Sequence, residues 1–141
     1  MLKYLILAVL LALSAPSLAR ANPICPDAYT TSEMDACIAD LMQETHSMMV
    51  RYLETAIEQY DDDHETVAKI KSAQTAWEAY QSAHCGSVYS AWREGTIRLV
   101  MSHICVIYTT RMRTHDIWRE FLTYMDSTPP ILPEPEIMLQ P

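Results

Sequence analysis

The stretch "AQTAWEAYQSAHC", residues 73–85, combines helix-favouring alanines with regularly spaced polar and aromatic side chains. Gln74, Trp77 and Tyr80 are three residues apart, so they occupy neighbouring positions on one side of a helix. We expect Trp77 and Tyr80 to face a core, and Gln74 to lie near the inward face and form a hydrogen bond across to another helix. The stretch therefore predicts a core-facing helix of an all-α protein.

The same stretch ends on the adjacent pair His84-Cys85, for which an activated thiol, a metal site and a structural cysteine are alternatives. Neighbouring helix residues point about 100° apart, which is a poor arrangement for proton transfer between them. A metal site would need further ligands, such as His103, Cys105 or a methionine. We favour a disulfide-bonded Cys85 beside a half-buried histidine, because three further cysteines give little reason for a free thiolate.

Residues 1–21, "MLKYLILAVLLALSAPSLARA", are typical of a secretory signal peptide. Lys3 precedes an apolar run, and Ala19-Arg20-Ala21 is an A-x-A cleavage signal. The apolar run is too short to cross a bilayer. We predict that residues 22–141 are exported to the periplasm or secreted, with no membrane insertion after cleavage.

The exported chain is strongly acidic. It keeps all 18 acidic residues but only 8 of the 10 basic ones, because Lys3 and Arg20 are removed, so its formal charge is −10. Nucleic acid and anionic lipid surfaces require a basic footprint and are poor partners. Among partners a basic protein is favoured, with Asp61, Asp62 and Asp63 as its candidate contact. The alternative, which the charge alone favours, is that the acidic residues only keep the exported domain soluble.

The four cysteines, Cys25, Cys37, Cys85 and Cys105, all lie in the exported part. An even number in a small exported domain indicates two disulfides. The spacing contains no C-x-x-C motif, so it suggests neither a thioredoxin-like site nor a paired-cysteine zinc site. Three pairings are possible, of which we favour Cys25–Cys37 and Cys85–Cys105, because each closes a local loop across one helix entry.

Long helices are predicted because the residues that most often interrupt helices are rare. The whole chain has only two glycines, and no proline lies between Pro26 and Pro129. The first helix is expected to be capped by Thr31 or Ser32 and to end near Tyr60. Residues spaced four and three apart form its predicted core stripe: Met34, Ile38, Leu41, Thr45, Met48, Tyr52 and Ala56.

A second helix is expected to start within residues 63–65 and to reach at least residues 85–86. Its predicted core face consists of Val67, Ile70, Ala73, Trp77, Tyr80 and His84. A third helix should open at Gly95-Thr96 and run towards Tyr124. Short connections then predict a small antiparallel three-helix bundle, all-α and stapled by two disulfides, with the four cysteines at one end.

Residues 127–141 form a proline-rich C-terminal tail with five prolines in fifteen residues, so they cannot be helical throughout. We accordingly divide the exported chain into a helical domain, residues 22–126, and this tail. The tail has apolar residues that would allow it to dock on the bundle: Ile131, Leu132, Ile137, Met138 and Leu139. We favour a mobile tail over a docked one.

No pattern in the chain indicates an enzyme. It has neither a glycine-rich phosphate loop nor a G-x-S-x-G motif. The acidic run at residues 61–65 lacks the glycine turn of a calcium loop, and the methionines fit core packing better than a copper site. We predict no catalytic residue, no metal and no cofactor.

With these residues in view, the chain resembles the LprI-type lysozyme-inhibitor family. "TTSEMDAC" is similar to its T-x-x-E-M-N-x-C opening, and residues 73–85 are similar to A-Q-x-A-W-x-x-Y-R-D-A-x-C. The "EGT" at residues 94–96 lies where an E-G-G/S turn is expected. A third helical pattern, C-x4-T-x2-R-x3-L, is matched by Cys105, Thr110, Arg113 and Ile117.

The chain also departs from the family pattern at several positions, one of which is Asp35 in place of the asparagine in the opening motif. Gln81 and Ser82 replace the usual Arg-Asp, and Thr45 and Met49 stand where aspartate and asparagine are common. These changes remove polar groups from the helices. They predict a reduced interhelical network or a displaced contact surface.

The resemblance covers Cys25 to about Tyr124 and implies a helical, disulfide-bonded periplasmic domain. It implies a protein that inhibits lysozyme-type cell-wall hydrolases by occluding their cleft, with a basic lysozyme as partner. The alternatives are an envelope interaction module without lysozyme contact, and periplasmic metal handling. Gln74, Thr110 and Arg113 are expected to be structural, with Arg113 binding a carboxylate or a helix-end carbonyl.

Overall fold

The computed structural model describes residues 24–137, which form three helices and no strand. Helix α1 spans Thr31–Gln59, α2 spans His64–Ala91 and α3 spans Arg98–Phe121. This confirms the all-α prediction. Across this part of the chain, no helix combines the length and the apolar character needed to cross a membrane. The predicted signal peptide lies outside the described residues.

The helices run up, down and up, and α3 packs against both of the others. Between α2 and α3, Gln74 contacts Arg113 whereas Cys85 contacts Cys105, so these two helices are antiparallel. Helices α1 and α2 approach each other closely at few points. The bundle is therefore organised around α3, with one groove on its α1 side and another on its α2 side.

Both predicted disulfides are present. Cys25–Cys37 ties the segment before α1 to that helix, with 6.2 Å between the Cα atoms. Cys85–Cys105 joins α2 to α3, with 5.6 Å between the Cα atoms. Each closes a local loop in a domain with a small core, where a bridge typically contributes about 2–4 kcal/mol.

The N-cap of α1 is Thr30, whereas Thr31 or Ser32 was expected. The helix therefore begins earlier than predicted. Glu33 stands three residues after Thr30, which is the spacing of a capping box. The Thr30 hydroxyl accepts from the Glu33 N–H at 3.2 Å, and the Glu33 carboxylate accepts from the backbone N–H groups of Tyr29 and Thr30, both at 2.9 Å. These bonds, that from Tyr29 first, hold the pKa of Glu33 below its usual value.

Helix α3 is shorter than predicted at both ends. It starts at Arg98 because Gly95 closes a turn, its N–H donating to the Trp92 carbonyl at 2.8 Å. It ends at Phe121 and not near Tyr124, because the next carbonyl, that of Leu122, accepts a bond from the returning tail. Helix α2 starts as expected and continues to Ala91.

The interior consists of two apolar clusters separated by a polar layer. One cluster contains the buried residues Cys25, Ile38 and Ile107, and the other contains Met49, Tyr52, Ala56, Ile117 and Leu122. Between them are the buried polar residues Thr45, Gln74, Thr110 and Thr114. Each of the three threonine hydroxyls donates to the carbonyl four residues earlier, so no threonine oxygen is buried without a partner.

The predicted stripe of α1 is largely confirmed, since Ile38, Thr45, Tyr52 and Ala56 are buried, although Met49 is buried more fully than Met48. On α2 the prediction is partly wrong. Tyr80 is 57% exposed and His84 and Ala73 are exposed as well. Because α2 has only α3 as a close neighbour, it buries a narrow stripe: Ile70, Gln74 and Cys85.

The prediction of a mobile tail is also wrong for its described part. The tail turns back and lies along the groove between α1 and α3. There the Trp118 indole N–H donates to the Leu132 carbonyl at 2.9 Å, and the Tyr52 hydroxyl donates to the Pro133 carbonyl at 2.7 Å. Two residues expected to dock lie outside the described range: Met138 and Leu139.

Truncation of Ile117 tests this core. Ile117 is fully buried, so Ile117→Ala should lower the free energy of unfolding by about 2–5 kcal/mol. Leu99→Ala on the same helix, where the side chain is 48% exposed, should change it by less than about 1 kcal/mol. Urea titration followed by circular dichroism, with the disulfides intact, measures both. Equal losses for the two variants would contradict the assignment of α3 as the central helix.

Candidate functional site

Gln81 attaches α2 to α3 at the middle of their interface. Its amide N–H₂ group lies 2.9 Å from the Thr109 and Thr110 hydroxyls and 3.2 Å from the Val106 carbonyl. Two hydrogens are thus shared among three acceptors on successive turns of α3. The Gln81 amide thus forms an interhelical hydrogen bond.

Gln74 and Arg113 form the expected hydrogen bond across the bundle. The Arg113 Nε–H donates to the Gln74 side-chain oxygen at 3.1 Å, and the Gln74 amide donates to Glu78 at 3.1 Å. The partner of Arg113 is therefore an amide and not the carboxylate or helix-end carbonyl expected. On its other side the Gln74 amide nitrogen meets only the thioether sulfur of Met49, at 3.8 Å. A thioether is a weak acceptor.

The network is incomplete on the α1 side. The Nη2 atom of Arg113 is buried and has no hydrogen-bond partner among the described residues. Burial lowers the pKa of Arg113, and the charge of Asp116 opposes this shift. On α1, the Thr45 hydroxyl donates within its own helix at 2.6 Å, and Met49 offers the network only its thioether sulfur.

An open groove of about 530 Å³ lies between α2 and α3, next to this network. Its lining is mostly aromatic, aliphatic and thioether side chains: Trp77, Tyr80, His84, Val88, Met101, Ile104, Tyr108 and Met112. The rings of Tyr80 and His84 are stacked, 5.4 Å apart and 6° from parallel. His84 is thus a surface residue.

His84-Cys85 is therefore not a catalytic pair. Cys85 is oxidised in a disulfide with Cys105, and no free cysteine is present. Cys105 is for the same reason not a thiolate ligand for a metal. Within residues 24–137, no three His, Cys, Asp or Glu side chains come together in a way that would hold an ion.

Charge is distributed very unevenly over the helices. Residues 31–63, which comprise α1 and the connection after it, contain nine acidic residues and a single basic one, Arg51. Residues 64–121 contain five acidic and seven basic residues. The negative charge of the molecule is therefore concentrated on α1 and the α1–α2 connection.

The acidic residues of α1 lie on the side that faces away from the core. Those on this outer side are exposed and recur at helical spacing: Asp40, Glu44, Glu54 and Glu58. At 1.5 Å per residue they extend over about 27 Å. Together with Asp61 and Asp62 they form an acidic surface, called here the acidic face, which is interrupted by the exposed Arg51 and ends at the tip of the bundle.

The three aspartates at that tip are all exposed but do not have the same role. Asp63 caps α2: one carboxylate oxygen accepts the Thr66 N–H at 3.1 Å and the other accepts its hydroxyl at 2.6 Å. These bonds, the hydroxyl first, lower the pKa of Asp63. Only Asp61 and Asp62 are therefore candidates for substitution without loss of a helix cap.

Sequence reasoning assigned structural roles to Gln74, Trp77, Tyr80, Thr110 and Arg113. In the structure Gln74 and Arg113 bond each other, Thr110 bonds Gln81, and Trp77 packs against the apolar cluster, whereas Tyr80 is 57% exposed. Sequence reasoning gave no interhelical role to Gln81, although its position next to a core-facing motif was a signal. It also missed the two side-chain donors to the tail, Tyr52 and Trp118.

Replacement of Gln74 tests the network. Gln74→Met keeps the side-chain length but leaves the Arg113 Nε–H without its acceptor, so the free energy of unfolding should fall by about 1–3 kcal/mol. The matched control Gln43→Met changes the same groups at an exposed position of α1 and should have an effect below about 0.5 kcal/mol. Urea titration of both proteins is the measurement, and indistinguishable midpoints would rule out a structural role for the pair.

Comparison with known proteins gives one result. Residues 25–117, about two thirds of the chain, match the family described as Lysozyme inhibitor LprI. No curated protein and no solved structure matches the chain. The matched region contains both disulfides, the Gln74–Arg113 network and the acidic face, and it stops before the tail. On this evidence the chain belongs to the LprI lysozyme-inhibitor family.

Proposed function

We propose that this protein is an exported binding protein that inhibits lysozyme-type cell-wall hydrolases by occluding their cleft. The family supports lysozyme inhibition. The observation that carries the proposal for this chain is the acidic face, which lies within residues 31–63, where the chain has nine acidic residues and one basic residue. A surface of this kind suits a basic hydrolase and no nucleic acid or anionic membrane.

The tip of the acidic face is the proposed contact with the hydrolase. The α1–α2 connection is only four residues long, and it projects from one end of the bundle as a narrow, charged turn. Asp61 and Asp62 lie on it and are exposed. Attraction between this turn and a basic cleft would raise the association rate and would weaken as salt is added.

Export is part of the same proposal. Both disulfides require an oxidising compartment such as the periplasm. Cleavage after residue 21 would leave the helical domain, residues 22–126, followed by the tail, and the contact would be made without catalysis by this chain.

Lysis of a peptidoglycan suspension tests the proposal. Purified residues 22–141 at a stoichiometric ratio should slow lysis by a basic lysozyme, and the effect should decline as sodium chloride is raised. Asp61→Asn with Asp62→Asn should weaken inhibition roughly three- to tenfold. Asp63 is left unchanged because it caps α2.

The matched control is Glu94→Gln with Glu136→Gln, which removes the same charge from exposed positions outside the acidic face. It should leave inhibition within about twofold of the unmodified protein. Unchanged lysis by both c-type and g-type lysozymes would refute the inhibitor function. If the two variant pairs weakened inhibition equally, the inhibitor function would stand, but the proposed contact at Asp61 and Asp62 would be refuted.

A second candidate, an interaction module of the envelope without lysozyme contact, is favoured by the groove between α2 and α3. Its apolar lining includes Tyr80 and Tyr108, each about half exposed. The lysis assay separates the two candidates, because a module that binds only through this groove would leave lysis unaffected.

A further inference from the structure

We propose that the groove between α1 and α3 is a binding site for extended, proline-rich peptides, and that the tail of this chain is its resident occupant. The site is defined by the side chains of Tyr52, His115 and Trp118. This proposal is independent of lysozyme inhibition, since it concerns a different surface and a segment outside the region that matches the family.

The tail runs back along α3 in the groove, bending at residues 131 and 132 and continuing without helix or turn through residues 133–137. The Ile131 N–H bonds the Leu122 carbonyl at 2.9 Å, and the Glu134 carboxylate lies 3.2 Å from Nε2 of His115. Because Ile131 contacts Leu122 and Glu134 contacts the earlier residue His115, this part of the tail runs antiparallel to α3.

The hydrogen bonds in the groove suit a segment rich in proline. Trp118 and Tyr52 both supply side-chain donors, and both bond main-chain carbonyls of the tail, those of Leu132 and Pro133. A polyproline-type chain leaves its carbonyls unpaired and, at proline, has no N–H that needs an acceptor. Aromatic grooves with donors are the usual means of binding such segments.

Two apolar anchors and one charge give the site its sequence preference. Leu132 packs against the cluster formed by Met49, Tyr52, Ala56, Ile117 and Leu122. Pro135 is buried, and Glu134 between the two prolines faces His115. The preferred ligand is thus an extended segment with an aliphatic residue followed by Pro-acidic-Pro.

A peptide must compete with the resident tail, which is present at a high effective concentration because it is covalently attached. A foreign peptide would therefore bind measurably only when the tail is displaced. Leu132→Asp places a charge against the apolar cluster and should release the tail while keeping the whole chain present.

The test is a titration of full-length Leu132→Asp protein with a peptide of residues 129–137, "PPILPEPEI", followed by the indole ¹⁵N–¹H signal of Trp118. We expect a saturable shift, and at least about tenfold weaker apparent binding to the unmodified protein, where the tail competes.

A second peptide with Pro133 and Pro135 replaced by alanine should bind less well. Removal of the donor by Trp118→Phe in the same background, read from the remaining amide signals, should weaken binding about tenfold.

Two results would overturn the proposal: no saturable shift with the Leu132→Asp protein, or equal affinity for the variant and the unmodified protein. If Leu132→Asp loses its cooperative unfolding transition, Leu132→Ala replaces it under the same criteria. Equal affinity for the proline and alanine peptides would refute the preference for proline.

Discussion

The packing of α3 against both other helices is the constraint on which the rest of the structure depends. The Cys85–Cys105 bridge and the Gln81 amide fix the register of α2 on α3. The apolar side chains Ile107 and Ile117 fix α1 on its other side. Since α1 and α2 approach each other at few points, loss of α3 would leave neither of them a partner for its buried stripe. The two grooves beside α3, one open and one filled by the tail, follow from this arrangement.

A polar layer divides the core, which makes the fold specific but lowers its apolar content. The hydroxyls of Thr45, Thr110 and Thr114 are satisfied within their own helices and cost little. Arg113 differs, because its Nε–H is paired whereas its Nη2 is not. An unpaired buried donor typically costs about 1–3 kcal/mol. We infer that the two disulfides and the docked tail offset part of this loss.

Periodicity in the sequence was enough to predict the number of helices and most of the α1 stripe, because these depend on local spacing. The observed disulfide pairing was the favoured one of three, chosen because each bridge closes a local loop. Sequence periodicity did not predict features that depend on contacts with a distant part of the chain, such as the burial of a side chain or the docking of the tail. Tyr80 matches the spacing of a core residue but is exposed, since α2 has one close neighbour and buries only a narrow stripe. The tail was expected to be mobile because its composition is rich in proline, yet donors 81 and 14 residues away in the chain hold its carbonyls. Only the end of the acidic face was predicted, from the acidic run at residues 61–65. Its acidic residues along α1 could be assigned to one exposed side only after the structure showed which side of the helix faces the core.

These surfaces divide the molecule into separate functional regions. The acidic face carries the proposed contact with a basic hydrolase. The open groove on the α2 side is mostly apolar, whereas the groove that holds the tail combines apolar side chains with Glu44, Arg51 and Arg111. The most direct measurement for the central claim is hydrogen–deuterium exchange of residues 22–141 with and without an equimolar basic lysozyme. Slower exchange concentrated at the end of α1 and in the α1–α2 connection is the predicted result. Slower exchange confined to α2 and α3, or no change at any residue, would contradict it.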